Sequence, residues 1–264
     1  NGTANGKILK KTNYKNVWIP PAPSDAGSAI GCALYHYYTT NSSDNPIVKQ
    51  NNQNPYLGPH YSNEQIRQIL ETFEDKVIYK HYLHNEIVKM ISKQITEGLV
   101  IGWFEGKMEF GARALGNRSI LANPCDPDMK SKVNKVIKKR EGFRPFAPIV
   151  KEEDRLKYFD YKHLVPYMNQ VVKVKEEHRK QLPAITHVDG SARIQTLNNR
   201  QHTRMYKLLN QLQVDNKYPI VLNTSFNVKD KTIVNTPKDA IETFLDCDMD
   251  TLVLNNYIVK KKIK

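Results

Sequence analysis

Residues 87–121 read IVKMISKQITEGLVIGWFEGKMEFGARALGNRSIL. Ile87, Ile91 and Ile95 recur every four residues, which places them on one face of a helix. Gly98 stands just past the last of them, where a helix commonly ends in a left-handed residue that glycine adopts without strain. Leu99 to Phe104 is a short apolar run bounded by glycine and reads as a buried strand. The loop that follows, Gly106 to Leu121, holds three glycines and carries Arg113 and Arg118. Helix, cap, buried strand and glycine-containing loop begin an alternation of helices and strands that reads as a mixed α/β domain, with no internal repeat.

The flanks extend that pattern. Ser62-x-x-Gln65 is a capping box ahead of Ile66, Ile69, Leu70 and Phe73. Asp126-Pro127 opens a helix bearing Met129, Val133, Val136 and Ile137. Tyr218 to Leu222 reads as a strand, Thr236-Pro237 starts a helix through Phe244, and Leu252 to Leu254 and Tyr257 to Val259 are closing strands. The segment around His187, Asp189 and Arg193 reads as strand, turn and strand. The expected fold is a mixed, twisted sheet with flanking helices. At the start, N-G-T-A-N-G reads as a turn, Val17 to Ile19 as an apolar stretch, and Ala26 to Tyr38 as a helix that Asp25 can cap. Thr39 to Pro59 is poor in apolar residues and suits a linker, which divides the chain into 1–55 and 56–264.

The 264 residues include 40 Lys and Arg against 27 Asp and Glu, a net charge of +13 that attracts phosphates, acidic metabolites or nucleic acid. No apolar run approaches the ~20 residues needed to span a bilayer and no signal peptide opens the chain, so a soluble, cytoplasmic protein is expected. Cys32, Cys125 and Cys247 are far apart and odd in number, which argues against a disulfide framework or a zinc site. His81 and His84 lack a third ligand nearby. The Asn1-Gly2 start, without methionine, reads as the interior of a longer protein.

Three clusters can carry chemistry. The first is the loop with Arg113, Asn117 and Arg118, where close backbone approach and guanidinium forks suit phosphate or carboxylate oxygens; a solvated basic loop has the same composition. The second is K-K-R-E-G-F-R-P-F-A-P, residues 138–148, with Lys138, Arg140 and Arg144 beside Phe143, Pro145, Phe146 and Pro148. Cations at a helix end also answer the dipole, but the interleaved apolar residues would fix and partly desolvate them. The third is L-N-T-S-F-N, residues 222–227, whose Asn223, Thr224, Ser225 and Asn227 follow a strand as a phosphate- or ribose-binding turn would, or as an ordinary polar turn. His187 alone is compatible with a structural role.

Taken in order, G-K-M-E-F-G-A-R-A-L-G-N-R-S-I-L, R-E-G-F-R-P-F-A-P, P-A-I-T-H-V-D-G-S-A-R-I-Q-T and L-N-T-S-F-N resemble the C-terminal half of the NodU/CmcH-type O-carbamoyltransferases, over nearly the whole chain. Ala112 stands where that family is expected to have proline. The resemblance implies a YrdC-like C-terminal domain preceded by the tail of an actin-like domain similar to the threonylcarbamoyl transferases. It implies an enzyme that binds carbamoyl phosphate and ATP, with Mg, and forms carbamoyl-adenylate for transfer to a hydroxyl-bearing small molecule. Lys138-x-Arg140 and Ser225-x-Asn227 match the K-x-R and S-x-N motifs of YrdC-type proteins. Lys138, Arg140 and Arg144 are then the catalytic group, and Arg113, Asn117, Arg118, His187, Arg193, Asn223, Thr224, Ser225 and Asn227 bind substrate and nucleotide. Asp25 matches an aspartate that, with two histidines from an earlier part of the family's chain, holds a divalent metal such as Fe. These residues are expected to converge on one positive pocket.

Two alternatives use the same residues. A YrdC-like synthase would make threonylcarbamoyl-adenylate for tRNA modification from threonine and bicarbonate, and the M-E-F-G-A-R-A-L-G-N-R-S block argues against it. A non-catalytic basic module would bind RNA, but the arginines cluster with Ser, Asn and Gly and not with aromatics suited to base stacking.

Overall fold

A computed structural model describes residues 1–40 and 54–262. In chain order the elements are α1 (Gly2–Lys11), α2 (Asp25–Thr40), α3 (Asn63–Glu71), β1 (Val77–His81), α4 (His84–Thr96), β2 (Ile101–Phe104), β3 (Arg118–Ala122), α5 (Met129–Ser131) and β4 (Ala147–Lys151). They continue with α6 (Arg155–Tyr158), β5 (Val171–Lys173), α7 (Glu176–Arg179), β6 (Ser191–Arg193), β7 (Gln195–Leu197), α8 (Thr203–Asn216), β8 (Ile220–Ser225), α9 (Pro237–Leu245), β9 (Thr251–Leu254) and β10 (Tyr257–Lys261). A π-helical turn, Lys132–Ile137, prolongs α5.

One mixed sheet orders the strands β1-β10-β9-β2-β3-β8-β4-β7, parallel at β2–β9 and β4–β7 and antiparallel elsewhere. Side chains alternate across it, as the period of two requires. Ile101, Trp103, Leu121, Ile149, Val221 and Val253 meet Ile87, Ile91 and Ile95 of α4 and Leu208, Leu209 and Leu212 of α8 on one face. Phe104, Ile120, Val150, Leu222, Leu252 and Leu254 meet α3, α9 and the Met129–Ile137 segment on the other. The expected α/β class, a mixed sheet with flanking helices, is the observed one. Among the described residues no helix is long and apolar enough to cross a membrane.

Several local expectations hold. Ser62 and Gln65 make the reciprocal capping box of α3, Gly98 has φ +86° at the end of α4, and Thr236 and Asp239 cap α9. Others are corrected. The N-G-T-A-N-G segment is helix, not turn, because the Asn1 carboxamide oxygen accepts from the Thr3 and Ala4 amides and satisfies two of the free donors of the first turn. Gly6 serves a second purpose: a Cβ there would lie 1.9 Å from the Val171 carbonyl oxygen, so α1 packs backbone to backbone on β5. Val17 to Ile19 joins no element, and Trp18 is exposed.

The helix expected after Asp126-Pro127 is three α-helical residues and then the π-helical turn, in which the Lys138 amide reaches back to the Val133 carbonyl. Strand β8 runs on through Ser225, so Asn223 to Ser225 form its end and do not follow it. Most of the expected linker, residues 41–53, lies outside the described residues, but its last part is packed. Tyr56 donates its hydroxyl to the Leu115 carbonyl at 3.0 Å and the Gly58 amide donates to the Met108 carbonyl at 2.9 Å, which bind this stretch to the Gly106–Gly116 loop.

Candidate functional site

The Gly106–Gly116 loop owes its shape to Glu109, which sequence reasoning passed over. One carboxylate oxygen of this buried residue accepts the amides of Leu115 (2.6 Å), Asn117 (2.7 Å) and Arg118 (3.2 Å). The glycines at 111 and 116, with φ +117° and +110°, supply the bends. Folded in this way, the loop leaves Arg113 exposed at its tip.

Arg118, expected to grip a ligand, turns the other way. It opens β3 with no exposed surface, its guanidinium 3.5 Å above the Phe104 ring. It donates to the carbonyls of Glu105, Asn117, Pro59 and Gly106. Burial pushes its pKa down to about 10. Asn117 is equally internal, its side-chain amide donating to the Lys107 carbonyl at 2.7 Å. Both are parts of the loop's frame.

The second cluster hangs on Asn134, which has no exposed surface. Its carboxamide oxygen accepts from Arg140 Nε at 2.7 Å, and its amide donates to the carbonyls of Gly142 (3.2 Å) and Arg144 (2.8 Å). The signal for it was a polar residue beside Val133 on the buried face. The π-helical turn and the left-handed Lys139 (φ +50°) let Lys138 point inward while Arg140 lies over the Phe146 ring at 5.2 Å. Lys138 Nζ donates to the carbonyl (2.8 Å) and hydroxyl (3.2 Å) of Ser225 and to the Asn227 carboxamide oxygen. The Ser225 hydroxyl donates to Asn227 in turn. Burial, then the neighbouring Arg140, push the Lys138 pKa down to about 7. Lys138 and Asn227 therefore support the end of β8 from behind and are not among the residues lining the cavity in front of it.

A cavity of about 800 Å³ gathers most of the rest: Arg113, Arg140, Arg144, His187, Arg193 and the β8 end, Asn223 to Ser225. Phe143, Pro145 and Phe146 line it beside the arginines as expected, whereas Asn1 to Thr3 and Asn5 at the start of α1, Pro21 to Ser24, and Tyr167 to Asn169 add walls that were not expected from the sequence. Arg144 is paired with Glu141 at 2.8 Å. Arg113, Arg140 and Arg193 form no ion pair among the described residues. Burial, with Arg113 and Arg140 near it, pushes the Arg193 pKa down to about 10, the mark of cations assembled without counter-charge. His187 is held below its usual pKa chiefly by burial.

If an anion enters this cavity, the ionisation of Lys138 behind the β8 end is expected to modulate its affinity. Sulfate, whose charge is constant over the range, is expected to bind more weakly as pH rises through about 7, because the ammonium beneath Ser225 is lost. Titration calorimetry at about pH 6 and pH 8.5 checks this, and Lys138→Met is expected to flatten the dependence. A wild-type affinity independent of pH would contradict it.

Asp25 is not part of this cavity. It is exposed in the first turn of α2. No three His, Cys, Asp or Glu residues come together as a metal centre among the described residues. The described residues therefore do not by themselves make up the divalent metal centre that the resemblance implies.

Residues 92–261 match the family described as carbamoyltransferase C-terminus, and residues 1–34 match carbamoyltransferase N-terminus. The chain is 41% identical to an uncharacterized protein, sll1178, of Synechocystis sp., over 99% of this chain and 46% of that protein. It is 39% identical to the nodulation protein NolNO of Sinorhizobium fredii, over 99% of this chain and 38% of that one. A 3'-hydroxymethylcephem-O-carbamoyltransferase of Amycolatopsis lactamdurans is 32% identical over 87% of this chain and 41% of its own length. The chain thus spans less than half the length of these relatives.

Proposed function

Since the chain belongs to the carbamoyltransferase family, we propose that its cavity binds carbamoyl phosphate together with ATP and forms carbamoyl-adenylate, the activated group that a hydroxyl acceptor receives. The observation that carries this reading is the set of three arginines, Arg113, Arg140 and Arg193, lining one cavity without an ion-pair partner among the described residues. Cations assembled against their own repulsion are stabilised by an incoming anion. A site for two phosphorylated substrates needs several of them.

The chemistry balances in three steps. Water cleaves carbamoyl phosphate to carbamate and inorganic phosphate. A carbamate oxygen then bonds to the α-phosphorus of ATP as the bond to pyrophosphate breaks. The adenylate finally yields its carbamoyl group to the acceptor oxygen, releasing AMP and a proton. None of these steps requires a covalent intermediate on the protein. The work of the residues is to hold phosphates in place and to aim donors at the charge growing on oxygen. Arg140 offers a fork steadied by Asn134 and Phe146, while Lys138 stiffens the β8 end. A volume of about 800 Å³ lies within the usual range for a small-molecule site.

The test is pyrophosphate release from ATP. Release that requires carbamoyl phosphate is the expected result. Release driven instead by threonine and bicarbonate would assign the cavity to threonylcarbamoyl-adenylate synthesis.

A further inference from the structure

The arginines that hold phosphate oxygens do not distinguish carbamoyl phosphate from another acyl phosphate; the distinguishing group is the amino group, two N–H donors that require acceptors. We propose that Asn223 is the residue that reads this amino group, an inference that rests on the carbamoyl phosphate reading above.

Asn223 is only 1% exposed and lines the cavity. Its amide nitrogen donates to the Ala114 carbonyl at 3.1 Å and to the Gln195 carboxamide oxygen at 3.3 Å. Gln195 is itself oriented, because its nitrogen donates to the Leu115 carbonyl at 2.9 Å. Both backbone carbonyls can only accept, so neither amide can be reversed without setting oxygen against oxygen. The Asn223 carboxamide oxygen is thereby fixed as an acceptor, and it is buried with no partner among the described residues.

His187 repeats the pattern. The single proton of the Ser191 hydroxyl goes to Asp189 at 2.6 Å, so Ser191 accepts from His187 Nδ1 at 3.1 Å. His187 Nε2 is left with a lone pair, again buried and unpartnered. Of the buried acceptors without a partner among the described residues, those of Asn223 and His187 belong to residues that line this cavity. Such groups cost stability unless a ligand satisfies them. An amino group on a planar carbon occurs in both the carbamoyl donor and adenine. The place of Asn223 favours the donor: it shares a face of β8 with Ser225, two residues on, and its amide holds the Ala114 carbonyl next to Arg113.

The experiment compares carbamoyl phosphate with acetyl phosphate, which carries a methyl group in place of the amino group, by titration calorimetry on the full chain and on Asn223→Ala. Wild type is expected to prefer carbamoyl phosphate by about tenfold or more, and the variant to bring the two affinities to within about twofold. General loosening of the site weakens both ligands alike, so the change in their ratio isolates the contact. An unchanged ratio overturns the proposal, as does an unchanged ratio with weakened ATP binding, which would move Asn223 to the adenine. If Asn223→Ala does not fold, Gln195→Leu, which lets the Asn223 amide turn, is read by the same ratio and the same criterion. A wild type that binds neither acyl phosphate fails the carbamoyl phosphate reading itself and removes this one with it. A wild type that binds both equally leaves that reading standing and overturns only the role of Asn223.

Discussion

Arg118→Met is expected to destabilise the protein by about 3 kcal/mol or more, the cost of leaving buried acceptors without a charged donor. Four carbonyls, those of Glu105, Asn117, Pro59 and Gly106, accept from this one guanidinium, and only those of Asn117 and Pro59 also accept a backbone amide, from Glu105 and Met108, among the bonds of the described residues. Methionine fills a similar length over Phe104 but donates nothing. Urea unfolding gives the stability, and sulfate binding under native conditions gives the site. The expected pair of results is a large fall in unfolding free energy with sulfate affinity retained in the folded protein. A stable variant that has lost sulfate binding would return Arg118 to the ligand and contradict its buried place in the structure.

Arg140→Lys is expected to act in the opposite sense, sparing the fold and impairing the chemistry. Lysine keeps the charge but loses the fork, the bond from Nε to Asn134 and the planar face over Phe146. Losing one charge-assisted bond to a largely desolvated anion costs about 1.5 to 3 kcal/mol, or roughly ten- to hundredfold in turnover efficiency. Pyrophosphate release dependent on carbamoyl phosphate measures the loss, with thermal melting to verify folding. Activity within about twofold of wild type, ~0.4 kcal/mol on the same scale, would reduce Arg140 to a cation at the end of a helical turn.

The contrast between these two arginines marks what could be read from the sequence. Both stand among glycine, aromatic and polar neighbours, and residue type alone made both candidates for a ligand. What separates them is strand register: Arg118 is the first residue of β3, opposite Phe104, and faces into the sheet's packing. Periodic segments were legible because one force decides them, and the isoleucines of α4 meet the sheet where their spacing placed them. Side chains that act on other polar groups left weaker traces. Glu109 and Asn134 organise the two loops through hydrogen bonds to backbone atoms whose positions only the folded chain defines. The same limit applies to Asn1 and Asn5, which reach the cavity through a helix that the glycine-rich opening disguised as a turn.

The contact of α1 with β5 bears on how such proteins can be recombined. At Gly6 the helix lies on the Val171 carbonyl with no room for a side chain. The segment matching one family description therefore supplies a wall to a cavity whose cations come from the segment matching the other. Grafting residues 1–34 from a relative would transplant part of the cavity wall with them, so the two matched segments are expected to be exchanged successfully only as a pair.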